Sequence, residues 1–397
     1  MTDTLLAINA GSSSIKFTIF DAADLALMFN GQIDGIDAAP QFTVRAGDGS
    51  KLAEQTWPAE AHSHETLLGA LLDWIEAHLP RGRLIAVGHR VVHGGPDHTA
   101  PERVTPDLLS KLEALTPLAP LHQQHSLEPI YAMIRLRPSL PQVACFDTAF
   151  HQTMPPVAIR MALPRHLTSD GMRRYGFHGL SYEFIAYHLR RTTPSLAAGR
   201  VIAAHLGSGA SLCALRAGES QDTTMGFTAL DGLIMGTRTG TIDPGALLYL
   251  QTCYGMDTAQ LQDLLYKQSG LLGLSGISSD MRVLLADPSE AAAEAIESFV
   301  YRAAQEIAAM IPCLGGLDGL VFTGGIGEHT PRIRALICER LSWLGVGLDP
   351  AANDRGDSSI GTGAVQVMVV PANEERMIAR HTLAVISRSK EPLRLPD

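Results

Sequence analysis

Two stretches of this 397-residue chain follow the same plan, about half a chain length apart. In each, an apolar run leads into a turn of small residues, and a second apolar run follows. The turns begin at Gly11-Ser12 and Gly207-Ser208, an offset of 196 residues. Apolar runs that flank a short turn of this kind are typical of a β-hairpin. We therefore predict a duplicated, two-domain chain.

Composition and charge exclude several classes of protein. Apolar residues make up 46% of the chain and charged residues 18%, which supports a large core and argues against disorder. The 31 Lys and Arg residues are outnumbered by 41 Asp and Glu, so the net charge is −10 and we expect no nucleic-acid partner. No apolar run approaches the roughly 18–20 residues needed to span a bilayer, so we expect no membrane partner.

The five cysteines indicate a reducing compartment. They are odd in number, widely spaced and never form a CxxC pair: Cys145, Cys213, Cys253, Cys313 and Cys338. We expect buried or half-buried free thiols. The amino terminus lacks the basic segment of a signal peptide, and a cytoplasmic location is the expectation.

Between the hairpins, apolar spacing predicts helices and one further strand. Helices are expected over Glu65–Leu79, from Pro106 after the cap residue Thr105, over Ala291–Ile311, and over Arg332–Leu344. Pro312 and Gly315-Gly316 are expected to end the third of these helices. The run Gly319–Phe322 predicts a strand. No linker rich in Pro or Gly separates the halves. We therefore expect an α/β chain with mixed sheets, whose domains share a broad interface with a cleft.

Three glycine-rich turns are candidates for phosphate binding. They lie at 11–14, 207–211 and 324–327, each after an apolar run. Glycine permits backbone amides to approach phosphate oxygens closely. A plain tight turn explains each one equally well, and Lys16 beside the first is equally a solvated strand lysine. The three together favour a nucleotide cleft.

Four separate segments carry the cationic and acidic residues that phosphoryl transfer requires. Arg90 interrupts an apolar strand, Asp147 ends another, and His178 and Arg238 lie in loops rich in glycine. Cations neutralise charge on the transferred group, and an acid holds Mg²⁺ or a water. For Arg90 an internal salt bridge is the alternative. The acidic pair that begins at Glu374 could instead complement a helix dipole.

Longer motifs give the chain a resemblance to a known family. They are INAGSSSIKF, GHRVVHGG, CFDTAFHQTMP, RRYGFHGLSY, HLGSGASL, MGFTALDGLIMGTRTGTIDPG, SSDMR, FTGGIGEHT and NEE. The sequence resembles the acetate kinase family, within the superfamily of acetate and sugar kinases, heat-shock chaperones and actin. The resemblance implies reversible, Mg²⁺-dependent, direct in-line transfer of the ATP γ-phosphoryl group to acetate, giving acetyl phosphate and ADP. The resemblance also implies that Mn²⁺ can replace Mg²⁺.

The resemblance also implies a fold and its domain limits. Two actin-like (ribonuclease H-like) domains are expected, with a nucleotide cleft between them and a homodimer as the assembly. Residues 1–149 with 377–397 would form the acyl and phosphoryl side. Residues 150–376 would form the nucleotide side.

Site residues follow position by position from the same resemblance. The catalytic candidates are Asp147, His178, Arg238 and Arg90. The carboxylate substrate would contact Arg90, Val92, Leu121, Phe177, Ala229 and His122. The nucleotide would contact Ser12, Lys16, His205, Leu206, Gly207, Ser208, Gly209, Asp280, Met281, Arg282, Gly325, Ile326, Gly327, Glu328 and His329. The metal would be held by Asn9 and Glu374.

Three positions depart from the pattern of the family. Ser208 replaces a common Asn, Thr241 replaces a common Asp, and Ala229 replaces a common Pro. Because alanine is smaller than proline, we expect room for one more methylene and use of propionate nearly as well as acetate. An acceptor carboxylate is ionised at neutral pH and needs no general base. We therefore expect Asp147 to position a metal-bound water or an arginine.

Alternatives remain open at this point. A propionate kinase of the same fold is the nearest one, and butyrate kinase is further from these motifs. An actin- or chaperone-like ATPase that switches conformation belongs to a different class, as does a catalytically silent nucleotide binder.

Overall fold

The computed structural model describes residues 2–11, 14–36, 39–57, 63–79, 82–120 and 122–388. Its strands are β1 Thr2–Ala10, β2 Ser14–Asp21, β3 Leu27–Asp34, β4 Gln41–Ala46, β5 Lys51–Thr56, β6 Gly82–Val91, β7 Glu102–Arg103, β8 Gln142–Phe146, β9 Arg200–Leu206, β10 Ala210–Arg216, β11 Glu219–Thr223, β12 Gly319–Thr323 and β13 Gln366–Val369.

The helices are α1 His64–His78, α2 Pro106–Ala114, α3 Gln123–Leu136, α4 Pro156–Ile159, α5 Arg165–Ser169, α6 Gly179–Thr192, α7 Pro194–Ala197, α8 Pro244–Tyr254, α9 Thr258–Lys267, α10 Gly270–Ser275, α11 Met281–Ala286, α12 Glu290–Leu314, α13 Gly324–His329, α14 Pro331–Arg340, α15 Pro350–Arg355 and α16 Glu374–Arg388. Short 3₁₀ turns lie at Thr116–Leu118, Ala149–Thr153 and Ser342–Leu344. Across the described ranges, every helix is too short or too polar to cross a membrane.

The chain divides into two compact units. Unit 1 comprises Met1–Ala149 and Asn373–Asp397, and unit 2 comprises Phe150–Ala372. Each unit contains one mixed sheet with helices packed on it, so the α/β class is confirmed. The roles that the sequence analysis gave to its two domains stay predictions.

The two sheets repeat one strand order. In unit 1 the order is β5-β4-β3-β2-β1-β6-β8-β7, and in unit 2 it is β11-β10-β9-β12-β13. The order β3-β2-β1-β6-β8 in unit 1 matches β11-β10-β9-β12-β13 in unit 2. In both, the first three strands are antiparallel to their neighbours, and the last two run parallel to the central strand, β1 or β9. Both predicted hairpins, β1–β2 and β9–β10, are confirmed.

Helix α1 shows why the core of unit 1 forms where it does. Its residues Leu67, Leu68, Leu71, Leu72 and Ile75 recur at helical spacing and are all buried. They pack in one cluster with apolar side chains of the β1–β4 strands. Caps fix the helix starts: Ser63 accepts from Thr66 N at α1, and Thr105 accepts from Leu108 N at α2, as predicted for the latter.

Three expectations about the elements were wrong in detail. The long helix α12 passes through Pro312 and ends at Leu314, where Gly315, at φ 73°, supplies the left-handed cap; the stop at Gly315 is confirmed, and the stop at Pro312 is not. The segment 324–327 is the start of helix α13 rather than a turn. The helix expected over Arg332–Leu344 is split at Leu341, whose N–H bonds to the Cys338 carbonyl in a tighter turn.

The five cysteines are free thiols, as expected, but their burial differs from the prediction. Cys145, Cys213 and Cys338 are buried. Cys253 and Cys313 are exposed, which contradicts the expectation of burial. Cys253 lies on α8, which buries none of its residues, and Cys313 lies in the exposed last turn of α12.

Buried histidines make the stability of the protein depend on pH. Burial lowers the pKa of His89, His93 and His151 to about 4 in each case. An unfolded histidine titrates near about 6.5. The unfolded chain therefore binds more protons below that value, and stability falls as pH drops from about 6.5 towards 4. Each histidine contributes up to about 1.4 kcal/mol per pH unit.

The variant His89→Gln is expected to flatten this pH dependence. It removes one of the three titrating groups, so the loss of unfolding free energy should shrink by up to about 1.4 kcal/mol per pH unit. Urea unfolding of parent and variant at several pH values between 7 and 5 measures the slopes. Identical slopes would show that His89 does not titrate as described.

Candidate active site

Three parallel strands of unit 1 deliver polar side chains to the same edge of the sheet. Asn9 lies near the end of β1, Arg90 near the end of β6, and Asp147 directly follows β8. β6 is parallel to both β1 and β8. The carboxyl ends of neighbouring parallel strands are where α/β sheets bind ligands. The structure thus assembles three of the predicted site residues within one unit.

Arg90 and Asp147 form a buried ion pair. The Arg90 Nε and Nη2 groups donate to Asp147 Oδ2 at 2.9 Å and 2.5 Å. The Asp147 side chain is completely buried, whereas 17% of the Arg90 side chain is exposed. Burial by itself would lower the pKa of Arg90, but the charges of Asp147 and Glu374 outweigh it and raise the pKa. Arg90 therefore stays charged and is held in place.

Glu374, the first residue of α16, completes this group. Its Oε2 accepts from Asn9 Nδ2 at 2.9 Å and lies 3.9 Å from Arg90 Nε. Burial raises the pKa of Glu374, and the neighbouring charge of Glu375 acts in the same direction, while Arg90, Lys16 and the Asn9 hydrogen bond oppose them. Glu375 also accepts from Asn9, at 3.4 Å.

These residues offer oxygen ligands suited to a hard divalent cation. The carboxylates of Glu374 and Glu375 flank the amide of Asn9. Mg²⁺ is usually held by one or two carboxylates plus substrate phosphates rather than by a complete protein cage. The absence of a cluster of three acidic, His or Cys ligands among the described residues is compatible with that arrangement. The donor set therefore fits Mg²⁺.

Lys16 lies across the first hairpin from Asn9. The two residues are paired in the register of β1 and β2. The Lys16 side chain is exposed, and its charge acts on Glu374. Ser12, the other predicted contact in this turn, lies outside the described residues, as does Leu121.

In unit 2, two histidines stack at the start of α6. The rings of His178 and His205 lie 4.3 Å apart with an interplanar angle of 19°. His178 Nδ1 lies 2.9 Å from Ser211 Oγ, and His205 Nδ1 lies 2.9 Å from Ser181 Oγ. His178 has a left-handed backbone conformation, with φ 55°. Such strain in a non-glycine residue is concentrated at functional sites.

Arg238 meets His178 above Gly209. The Arg238 Nη1 group donates to the Ala229 carbonyl at 2.7 Å. A Cβ atom built on Gly209 would lie 2.7 Å from Arg238 Nη2 and 3.3 Å from His178 Nε2. Only a glycine leaves this space to the two side chains. Two nitrogen atoms from separate segments, Arg238 Nη2 and His178 Nε2, therefore converge on one point of the β9–β10 turn.

The predicted nucleotide segments have differing environments. In the β9–β10 turn, Gly207 N donates to the Gly209 carbonyl at 3.0 Å, Ser208 is exposed and Leu206 is buried. A Cβ on Gly207 would come within 3.9 Å of Gly325 N, so this turn adjoins the start of α13. Gly325 is exposed, Ile326 is half-buried and Gly327 is buried.

Some residues in these predicted nucleotide-binding segments make hydrogen bonds that stabilise the fold. Glu328 Oε1 accepts from both Gly324 N and Ala372 N at 2.9 Å. Asp280 caps α11 and pairs with Arg282, whose side chain is 85% exposed. Met281 is buried, and the His329 side chain is 78% exposed.

The predicted acyl-binding residues that the structure describes are buried or half-buried. Val92 and Phe177 are buried, whereas Ala229 and His122 are half-buried. The Phe177 carbonyl lies 2.9 Å from His151 Nε2, and the His122 carbonyl accepts from Ser126 Oγ at 3.1 Å.

The hydroxyl groups that contact the two histidines were not predicted from the sequence. Ser181 and Tyr182 lie in the motif RRYGFHGLSY, and Ser211 lies in HLGSGASL. Their presence in two long motifs was the available signal. Their pairing with histidines 24 and 33 residues away depends on the packing of α6 against β9 and β10.

Comparison with known proteins identifies the family. A family model described as the acetokinase family matches residues 4–380. The chain belongs to the acetokinase family. A relative from Rhodopseudomonas palustris, named acetate kinase, is 52% identical over 391 residues, covering 96% of this chain and 98% of its own.

Solved structures of the family share the fold of this acetokinase-family chain. A propionate kinase from Francisella tularensis is 36% identical with a TM-score of 0.89, covering 96% of this chain and 100% of its own. An acetate kinase from Porphyromonas gingivalis is 33% identical with a TM-score of 0.84, covering 97% of this chain and 100% of its own.

Proposed function

We propose that this protein is an acetate kinase, which transfers the γ-phosphoryl group of ATP reversibly to acetate. The observation that carries the proposal is the convergence of Arg238 and His178 above Gly209, beside two glycine-rich segments. Donors aimed at one point stabilise the charge that develops on a transferred phosphoryl group. The family membership and the relatives named acetate kinase support the same activity.

Each charged group has a separate task in the proposed mechanism. The acetate carboxylate is the nucleophile and is already ionised near pH 7, so no general base is required. Arg90, held by Asp147, orients that carboxylate. Arg238 and His178 donate to the oxygens of the phosphoryl group during in-line transfer. Asp147 is buried behind Arg90 and acts as the residue that positions this arginine.

Mg²⁺ is proposed as the metal that accompanies ATP. When bound, it would neutralise phosphate charge and orient the phosphate chain. Glu374 is the carboxylate that would hold it, with Asn9 alongside. Lys16 and the β9–β10 turn, Gly207–Gly209, would contact the phosphates. The exposed amide end of α13, near Gly325, offers a further place for phosphate oxygens.

The reverse reaction tests the activity without trapping chemistry. With acetyl phosphate, ADP and Mg²⁺, the protein should form ATP, measured by luciferase luminescence. ATP formation that fails with the parent protein but succeeds with a known acetate kinase under the same conditions would contradict the proposal.

Propionate kinase is the second candidate, favoured by the residue at position 229. The Ala229 carbonyl accepts from Arg238 Nη1, so residue 229 adjoins an arginine of the proposed substrate site. The resemblance places a larger proline there in related chains. One further buried methylene is worth about 0.8 kcal/mol, or roughly a fourfold change in kcat/KM.

We predict that propionate is used within about tenfold of acetate in kcat/KM. The variant Ala229→Pro should lower the ratio of propionate to acetate use, whereas Ala229→Gly should preserve it. Initial rates of ADP formation with both acids give the ratios. A parent propionate value more than about a hundredfold below that of acetate would rule the wider pocket out.

A homodimer is proposed as the assembly. Helix α8 buries none of its residues within the chain, although it is mainly apolar. Leu248, Tyr249 and Tyr254 are more than half exposed. Apolar patches of this kind usually mark an interface, and we assign this one to a second copy of the chain. Light scattering should report a particle of two chains, and a one-chain particle would contradict the assignment.

A cytoplasmic location is also proposed. All five cysteines are free, including the two exposed ones, which is typical of a reducing compartment. Labelling of Cys253 and Cys313 by a thiol reagent in intact cells distinguishes a reducing from an oxidising compartment.

A further inference from the structure

Two histidine–serine contacts join helix α6 to the β9–β10 hairpin. In one the histidine belongs to the helix end, and in the other it belongs to the hairpin. His178, at the start of the helix, meets Ser211 on strand β10. His205, on strand β9, meets Ser181 in the first turn of the helix. Ser211 and His205 are also directly opposite each other in the strand register. Both contacts use the Nδ1 atom, so both rings are fixed by the same side of the imidazole.

Ser211, which contacts His178, is itself hydrogen-bonded to a second hydroxyl group. The Tyr182 hydroxyl forms a hydrogen bond with Ser211 Oγ. Ser211 and Tyr182 are completely buried, so water does not compete for these groups. Each hydroxyl carries a single hydrogen. If Tyr182 donates its hydrogen to Ser211, the hydrogen of Ser211 is directed to Nδ1 of His178.

This direction of donation determines what the other nitrogen of His178 can do. A neutral imidazole that accepts at Nδ1 carries its hydrogen at Nε2. His178 Nε2 is the atom that approaches the Cβ position of Gly209, beside Arg238 Nη2. Two N–H donors then point to the same space. A phosphoryl oxygen placed there would receive both.

We propose that Ser211, backed by Tyr182, is a positioning residue that holds His178 as the Nε2–H tautomer for phosphoryl transfer. The inference rests on the proposed kinase function for its catalytic consequence. Its structural part, the tautomer of His178, does not depend on that function.

A third histidine–serine pair in the same unit separates this role from simple core packing. His151 Nδ1 lies 2.9 Å from Ser220 Oγ, and both side chains are buried. His178, by contrast, is half-buried and has a left-handed backbone. Ser220→Ala is therefore the matched control, because it removes an equivalent hydroxyl from a neighbouring buried histidine that does not face Arg238.

The tautomer is measured directly by NMR of the full-length protein labelled with ¹⁵N at the histidine side chains. At about pH 8.5, above the ordinary histidine range, long-range ¹H–¹⁵N spectra show which ring nitrogen carries the hydrogen. The signals of His178 are assigned by their loss in His178→Gln. The parent should show Nε2–H at His178. Ser211→Ala and Tyr182→Phe should each introduce Nδ1–H, and Ser220→Ala should leave the His178 signals unchanged.

Kinetics provide the second readout. Ser211→Ala should lower kcat about tenfold or more while KM for ATP and acetate changes by less than about twofold, because only the transition state loses an oriented donor. Tyr182→Phe should lower kcat less, since Ser211 remains. Ser211→Cys keeps a weak donor and should recover part of the loss. Equal melting temperatures of Ser211→Ala and Ser220→Ala would show that lost stability does not explain the difference.

Several results would overturn the proposal. An Nδ1–H tautomer in the parent protein, or an unchanged tautomer and kcat in Ser211→Ala, contradicts the role of Ser211. If Ser211→Ala does not fold, Tyr182→Phe decides by the same two readouts. A parent protein without kinase activity but with the expected tautomer contradicts the proposed function and the catalytic role, and it leaves the hydrogen-bond assignment standing.

Discussion

Replacement of Arg90 by alanine is expected to abolish acyl phosphate formation and to destabilise the protein by about 3–5 kcal/mol. The activity is lost because the acceptor carboxylate has no cation to orient it. The stability is lost because Asp147 is completely buried and receives two hydrogen bonds from Arg90. Removal of one partner leaves an uncompensated buried charge. Initial rates and urea unfolding measure the two effects.

A double variant separates the two effects. Arg90→Ala combined with Asp147→Ala removes both charges, so much of the lost stability should return while the activity stays absent. Full stability in the single variant Arg90→Ala would contradict the buried ion pair. Activity above about one thousandth of the parent in that variant would contradict the role of Arg90 in catalysis.

Gly209→Ala is expected to lower kcat about a hundredfold with little change in stability. The added methyl group would lie 2.7 Å from Arg238 Nη2, so the guanidinium must move away from His178. The cost to the fold is small because the displaced atom is the end of a flexible side chain. Since φ at Gly209 is not in the left-handed region, alanine fits the backbone there.

Gly69→Ala is the matched control for the added methyl group. Gly69 lies within α1, where the nearest atom to a new Cβ is 3.9 Å away, so the variant should keep full activity. It should gain roughly 0.5–1 kcal/mol of stability from helix propensity. A Gly209→Ala variant with parental kcat would show that Arg238 and His178 do not need to converge at this point.

The two β-hairpins, β1–β2 and β9–β10, were predictable from local sequence. Apolar runs on both sides of Gly11 and Gly207 specify two hairpins, because the pattern lies within about twenty residues at each place. Arg90 was also recognisable, since a cation among apolar strand residues needs an anion. The helix start at Thr105 followed from its capping chemistry.

The partners of the site residues were beyond local reasoning. Asp147 lies 57 positions from Arg90, and Glu374 lies 365 positions from Asn9. These contacts follow from the order of parallel strands in the sheet and from the return of α16 to unit 1, which local apolar spacing does not encode. Only the family resemblance grouped the carboxyl-terminal segment with residues 1–149.

The hydroxyl groups that contact the histidines were also not predictable from local sequence. Serine and tyrosine carry no distinctive sequence signal, and Ser211 acquires meaning only when α6 is packed on the hairpin. The course of α12 through Pro312 has a different cause. Proline has no N–H to donate to the carbonyl four residues earlier, so Pro312 costs α12 one hydrogen bond, and the helix ends two residues later at Leu314.

The most direct test of the account is the stoichiometry of acyl transfer. ATP, Mg²⁺, acetate and hydroxylamine are incubated with the protein, and acetyl hydroxamate and ADP are measured in the same samples. We predict one hydroxamate for each ADP formed, and no ADP formation when acetate is omitted. ADP release without hydroxamate would contradict phosphoryl transfer to a carboxylate and would favour an ATPase that uses the same fold as a conformational switch.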